Sequence, residues 1–346
     1  MGGKGLSRIG AAQTRLRGLS VLFFRSVLYF RKKDKSGGNS FMQDIMIGTW
    51  AWGTGSNGSA MVFGKKQDEA LLRESFDTAY EAGFRNWDTA AVYGMGTCEK
   101  LLGSLIKDKE DIFLSTKFMP GKKYKEGALT KSFEESMSRL GRESVELFWI
   151  HVPHGLINNL SEAVPLIKEG RIKSIGISNV SLENIKAAEE FLAKEGLKLA
   201  AVQNHFSLLR NDQQPIIDYC IDKGIRYYAY MVLEQGALSG NYSADKHFPL
   251  FSMRGLAFPK SKFRKIEKLL SAMKEIASGY NIDPSQIPIL WVIGKGAVPI
   301  VGITKPSHAA KLAGAMNVRL TKEEMKLLED LAKETGIRQQ GIWEPQ

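Results

Sequence analysis

The sequence predicts an α/β protein, a (β/α)8 barrel spanning residues 42–346. Eight short apolar segments recur, at Ile45–Trp50 and centred near Trp87, Phe113-Leu114, Phe148-Trp149, Ile175-Gly176-Ile177, Ala201-Val202, Tyr227-Tyr228 and Ile300-Val301. They lack the polar alternation of a half-solvated strand, so both faces are buried, as in parallel strands covered by helices. Through most of the chain they lie roughly 26–34 residues apart, each followed by an amphipathic stretch, which is the repeat that eight-fold closure requires. A doubly wound open sheet is the competing arrangement, and eight units favour closure.

Residues 1–41 stand apart from this repeat. Leu19 to Phe30 is apolar but interrupted by Arg25 and followed by Arg31-Lys32-Lys33-Asp34-Lys35, too short and too charged to span a bilayer. An unbroken signal-peptide core is missing, and Leu6 stands where myristoylation wants Ser or Thr. Scattered arginines with no acid before Asp34 fit an organelle transit peptide or a basic segment lying on a membrane surface. A disordered tail, or a start at Met42, fits equally. Ser36-Gly37-Gly38-Asn39-Ser40 serves as a linker in each case.

Within the barrel, the first long helix is expected over Asp68–Ala82, with Leu72, Phe76 and Tyr80 on one face and Gly83 closing it. After the fifth strand, Leu182, Ile185, Ala188 and Leu192 define the buried face. Between the seventh and eighth strands a loop is expected over Gly236–Pro259 and a helix over Ser261–Tyr280. Long loops at the carboxyl ends of barrel strands commonly cover active sites. Thr321 and Glu324 have capping-box spacing and Leu320 can staple on Met325, marking an extra C-terminal helix.

Composition excludes several classes. Residues 1–41 carry nine basic residues and one acid, +8 of the total +11, so the barrel is nearly balanced and is not a nucleic-acid binder. Cys98 and Cys220 have neither disulfide-framework nor zinc spacing, which fits a reducing, cytoplasmic compartment, with organelle targeting by residues 1–41 left open. His151 and His154 are three apart at a strand end with Pro153 between them, the wrong geometry for a zinc pair, so no metal is expected. Gly53-Thr54-Gly55-Ser56-Asn57-Gly58 satisfies a GxGxxG pattern, but no helix is expected directly after it.

Chemistry concentrates at strand ends. Asp88 and Tyr93 follow the second strand, Lys117 ends the third and His151 follows the fourth. Alone, Asp88 is equally a helix cap, and a single terminal Lys or His is unremarkable. In a parallel barrel all four converge on one face. A phenol titrates near 10, and a buried ammonium beside it favours phenolate. Lys117 is expected to act so on Tyr93, with Asp88 as its counter-ion and His151 bonding a substrate oxygen that Tyr93 protonates.

Asp88 and Tyr93 in Asp-Thr-Ala-x-x-Tyr-Gly, Lys117 in Ser-Thr-Lys and His151 in Ile-His-x-Pro resemble the catalytic tetrad of the aldo-keto reductases. The resemblance covers about residues 44–335 and implies a (β/α)8 barrel that reduces aldehydes and ketones with NADPH, giving NADP+. It further implies that Ser178, Asn179 and Gln203 bond the nicotinamide carboxamide, that Tyr230 stacks on the ring, and that Gly48, Thr49, Trp50 and Asp88 border it. Met231, Leu233 and Gly236 fall in the segment along the pyrophosphate, although Tyr230-Met231-Val232-Leu233 replaces the Tyr-Ser-Pro-Leu of many members. Gly302, Thr304, Lys305 and His308 resemble the segment that holds the 2′-phosphate, while Leu312 stands where Asn or Gln often meets adenine. Trp50, Trp52, Tyr93, Phe118, Met119, His151, Met231 and the Phe248–Phe251 loop are expected to form a largely apolar substrate pocket for a small carbonyl compound. A monomer is expected. The competing class is a slow or non-catalytic NADPH-sensing subunit on the same barrel, similar to channel β-subunits.

Overall fold

The computed structural model describes residues 45–55, 58–64, 66–249 and 252–340, so the expectations for residues 1–41 and for Leu250 and Phe251 lie outside it. Eight parallel strands close in chain order: β1 (Met46–Gly48), β2 (Asn86–Asp88), β3 (Phe113–Phe118), β4 (Leu147–Ile150), β5 (Ile175–Ser178), β6 (Leu199–His205), β7 (Arg226–Tyr230) and β8 (Val298–Gly302). β8 pairs with β1, with Gly302 opposite Gly48, and Gly48 in turn stands opposite Asp88.

The helices are α1 (Ser59–Phe63), α2 (Glu69–Glu81), α3 (Thr97–Ile106), α4 (Ala128–Leu140), α5 (Leu156–Lys168), α6 (Leu182–Lys194) and α7 (Gln214–Lys223). They continue as α8 (Met253–Ala257), α9 (Lys260–Lys265), α10 (Glu267–Gly279), α11 (Gln286–Gly294), α12 (Pro306–Ala315) and α13 (Lys322–Glu334). Asp68 caps α2 by accepting from Ala70 N, and the capping box of Thr321 and Glu324 opens α13.

Strand alternation divides the core in two. Ile47, Trp87, Leu114, Phe148, Ile150 and Val202 face outward into the apolar layer beneath the helices. Met46, Leu147, Trp149, Ala201, Tyr228 and Val298 fill the inside. Trp149 fits there because residue 176 is glycine: a Cβ on Gly176 would stand 2.4 Å from the indole. Following the same alternation upward, the layer at the carboxyl ends of the strands contains Gly48, Asp88, Lys117, Ser178, Gln203, His205, Tyr230 and Gly302.

The β7–β8 connection departs from expectation. The segment read as one loop contains a 3-10 turn (Glu234–Ser239) and α8, and the single helix expected over Ser261–Tyr280 is broken at Ile266 (φ −92°, ψ 3°) into α9 and α10. The unforeseen α11 is buried nearly all round, from Gln286 to Val292. It therefore lacks the polar face from which a helix is read in a sequence.

Candidate active site

The strand ends deliver polar groups to the barrel mouth. Lys117, fully buried on β3, forms an ion pair with Asp88 Oδ2, donates to the Thr89 carbonyl at 2.8 Å and lies 3.3 Å from Tyr93 Oη. Asp88 Oδ1 accepts from Ser115 Oγ at 2.6 Å, so both carboxylate oxygens are engaged. Ser115 was not singled out from sequence, but the signal was there. It precedes Lys117 by two, and the period of a strand turns both into the barrel. Tyr93 is 7% exposed, with the His151 ring edge-on at 5.9 Å (78°) and the Trp50 ring stacked at 5.9 Å (27°).

The turn that presents Tyr93 is held by close backbone packing. A Cβ on Gly53 would meet Gly94 Cα at 2.9 Å, and one on Gly94 would meet Gly53 Cα at 2.8 Å. Thr97 Oγ1 bridges the two segments, accepting from Thr54 N and donating to the Gly94 carbonyl. This explains Gly53, the first glycine of the GxGxxG pattern, as a packing residue. A helix does begin directly after Gly58, contrary to expectation, but α1 has only five residues.

Burial sets the protonation states. It pushes the Tyr93 phenol well above 10, and the Asp88 charge adds to the rise. The expected lowering by Lys117 is therefore not met: burial of the phenol dominates, and the Asp88 charge works in the same direction. Burial lowers Lys117 from 10.5, opposed chiefly by the attraction of Asp88. His151 is held well below 6.5 by burial first and the Lys117 charge second, so its imidazole is neutral at pH 7. The unfolded chain binds a proton there that the folded chain refuses. Stability is thus expected to fall as pH drops below about 6.5, and His151→Gln to flatten part of that slope in thermal melts between about pH 7.5 and 5. His308 is lowered in the same sense, so the slope shrinks without vanishing.

Beyond the tetrad, Asn179 (φ +60°) donates to the His151 carbonyl at 2.8 Å and accepts from Tyr230 Oη at 2.5 Å. It braces its neighbours as well as bordering the mouth with Ser178. Gln203 is 2% exposed, and its Nε2 is buried without a hydrogen-bond partner among the described residues. Thr49 is committed to the Asp88 carbonyl through both N and Oγ1. Met231 (φ +60°), Leu233 and Gly236 (φ +101°) are partly buried in and just before the turn after β7.

At the β8 end, Gly302 and Lys305 are exposed, and Thr304 N donates to His308 Nδ1 at 3.3 Å on the first turn of α12. Leu312 is buried in the core. Of the proposed pocket aromatics, Trp50 stands against Tyr93, whereas Trp52 is turned into the core against Trp87, its indole N–H on the Ile303 carbonyl at 2.6 Å. Phe118 is 7% exposed at the end of β3.

A family model for the aldo/keto reductase family matches residues 44–333. The chain belongs to that family. Among curated relatives, the chloroplastic pyridoxal reductase of Arabidopsis thaliana is 31% identical over 310 residues, covering 84% of this chain and 83% of that protein. The Schizosaccharomyces pombe aldo-keto reductase yakc [NADP(+)] is 27% identical over 311 residues, covering 83% and 91%. The solved structure of the thermostable aldo-keto reductase Tm1743 with the inhibitor epalrestat matches with a TM-score of 0.67 at 25% identity, over 86% of this chain and 98% of that one. An aldo/keto reductase from Klebsiella pneumoniae in complex with NADP and acetate shares the fold, with a TM-score of 0.64 at 22% identity over 84% and 91%. Among the described residues of this family member, no helix is long and apolar enough to cross a membrane.

Proposed function

We propose that the protein is an NADPH-dependent carbonyl reductase, with residues 42–346 as its catalytic barrel and Tyr93 as proton donor to an aldehyde or ketone oxygen. The observation that carries this reading is the position of the Tyr93 hydroxyl, 3.3 Å from an ammonium that Asp88 keeps charged and beside a neutral imidazole. NADPH, when bound, supplies the hydride. Gln203 supports a nicotinamide at the mouth, since its buried and unpartnered Nε2 is a donor suited to a carboxamide oxygen. Ser178, Asn179 and Tyr230 would border that group, and Gly302, Thr304, Lys305 and the start of α12 would take the 2′-phosphate.

The residues divide the work. Tyr93 is a neutral phenol at pH 7 and carries the proton to be given. Lys117 Nζ donates to Oη and stabilises the phenolate as the proton leaves. His151 orients the substrate oxygen toward Oη. Trp50, stacked beside Tyr93 with Phe63 at its edge 5.3 Å away, favours a flat, apolar carbonyl compound. Pyridoxal, the substrate named for the Arabidopsis relative, belongs to the series to be tried.

The test is carbonyl-dependent oxidation of NADPH by the purified protein, with pyridoxal, substituted benzaldehydes and short aliphatic aldehydes as substrates. Many turnovers, with one alcohol formed per NADPH consumed, are expected. Tight NADPH binding with no carbonyl-dependent oxidation across the series would sink the reading.

A further inference from the structure

One buried carboxylate takes no part in the chemistry above. Glu234, just after β7, is fully buried, and so is His205 at the end of β6. His205 Nε2 lies 2.7 Å from Glu234 Oε1, and Ser207 Oγ donates to the same oxygen. With Oε1 as the acceptor, Nε2 is the ring nitrogen that donates. Glu234 Oε2 is buried with no hydrogen-bond partner among the described residues, a costly arrangement for a loop residue that only fills space.

The backbone around it is strained. Met231 (φ +60°), Glu234 (φ +48°) and Gln235 (φ +55°) are all left-handed, a conformation that L side chains keep only where the surroundings hold it. From the carboxylate a continuous run of contacts reaches the tetrad. The His205 ring stacks on Tyr230 (5.5 Å, 25°), Tyr230 Oη donates to Asn179, and Asn179 Nδ2 donates to the His151 carbonyl.

We infer that Glu234 is a positioning residue for NADPH: through its Oε1 acceptor it ties the strained Met231–Gly236 turn to His205, and so fixes Tyr230 and Asn179 at the nicotinamide side of the mouth. The inference rests on the reading of the protein as an NADPH-dependent reductase. Stacking on His205 covers one face of Tyr230 and sets the tilt of the other. Fixing that surface before binding lowers the ordering cost that NADPH would otherwise meet.

Glu234→Gly separates tether from strain, because glycine adopts φ +48° freely while losing the carboxylate. Glu234→Gln keeps an Oε1 that still accepts from His205 and Ser207. NADPH titrations followed by quenching of tryptophan fluorescence, with a thermal melt of each variant, are expected to show affinity about tenfold weaker for Glu234→Gly and within about threefold of wild type for Glu234→Gln. A Glu234→Gly protein that binds NADPH like wild type overturns the inference, and so does a Glu234→Gln protein as weak as Glu234→Gly.

His205→Gln, which keeps a donor toward Glu234 but removes the ring beneath Tyr230, is the second variant. Weaker binding by about threefold or more supports the chain of contacts, and unchanged affinity overturns it. Wild-type protein that does not bind NADPH overturns the functional reading and this inference together, whereas wild-type binding with an unaffected Glu234→Gly overturns this inference alone.

Discussion

Tyr93→Phe is expected to lower carbonyl reduction by about 10²–10⁴-fold, the usual worth of a positioned proton donor, while NADPH affinity stays within about threefold. The substitution deletes one oxygen and little else. Phenylalanine keeps the ring against Trp50 and His151, and Lys117 keeps its bonds to Asp88 and the Thr89 carbonyl. Folding is therefore expected to change little, which separates a chemical effect from a structural one in a melt run beside the assay. Burial holds the phenol well above 10, so wild-type Tyr93 stays protonated throughout the neutral range. A Phe variant that retains most of its turnover would remove Tyr93 from the mechanism.

The fold was legible because eight buried strands repeat, and the convergence of Asp88, Tyr93, Lys117 and His151 because each lies at a strand end or in the turn after it. Neither signal depends on side-chain detail. What stayed hidden were features whose meaning lies in contacts between distant segments. Trp50 and Trp52 are near-identical in sequence context, yet the 3-10 turn between them sends one to Tyr93 and the other to Trp87 and the Ile303 carbonyl.

Gly53 and Gly94 read as loop residues until their backbones are seen within touching distance. The balance of forces on Tyr93 was also out of reach of the sequence. Spacing placed Lys117 beside the phenol, but the burial that raises the phenol, with the Asp88 charge adding to it, appears only in the folded site. The Glu234–His205 contact joins residues 29 apart across two strand ends, and nothing in Leu233-Glu234-Gln235-Gly236 announces a buried carboxylate.

Asp88→Asn is expected to cost about 3–5 kcal/mol of stability as well as activity, since it leaves the Lys117 ammonium buried without its counter-ion. Ser115 and the Thr89 carbonyl remain, but neither carries charge. The double variant Asp88→Asn/Lys117→Met removes both charges and should regain most of that stability while remaining inactive. The comparison is made on denaturant midpoints at constant slope. Additive losses in the double variant would mean that the two groups are not energetically coupled.

The sign of the pH dependence offers an independent check. Lys117 is already lowered from 10.5 by burial, with Asp88 the main opposing influence, so losing Asp88 must lower it further. In Asp88→Asn the unfolded chain then binds a proton over a window that the folded chain does not, and stability rises with pH across it. The deficit of Asp88→Asn relative to wild type should accordingly shrink as pH is raised toward 10.5, and the double variant, with no lysine to titrate, should show no such recovery.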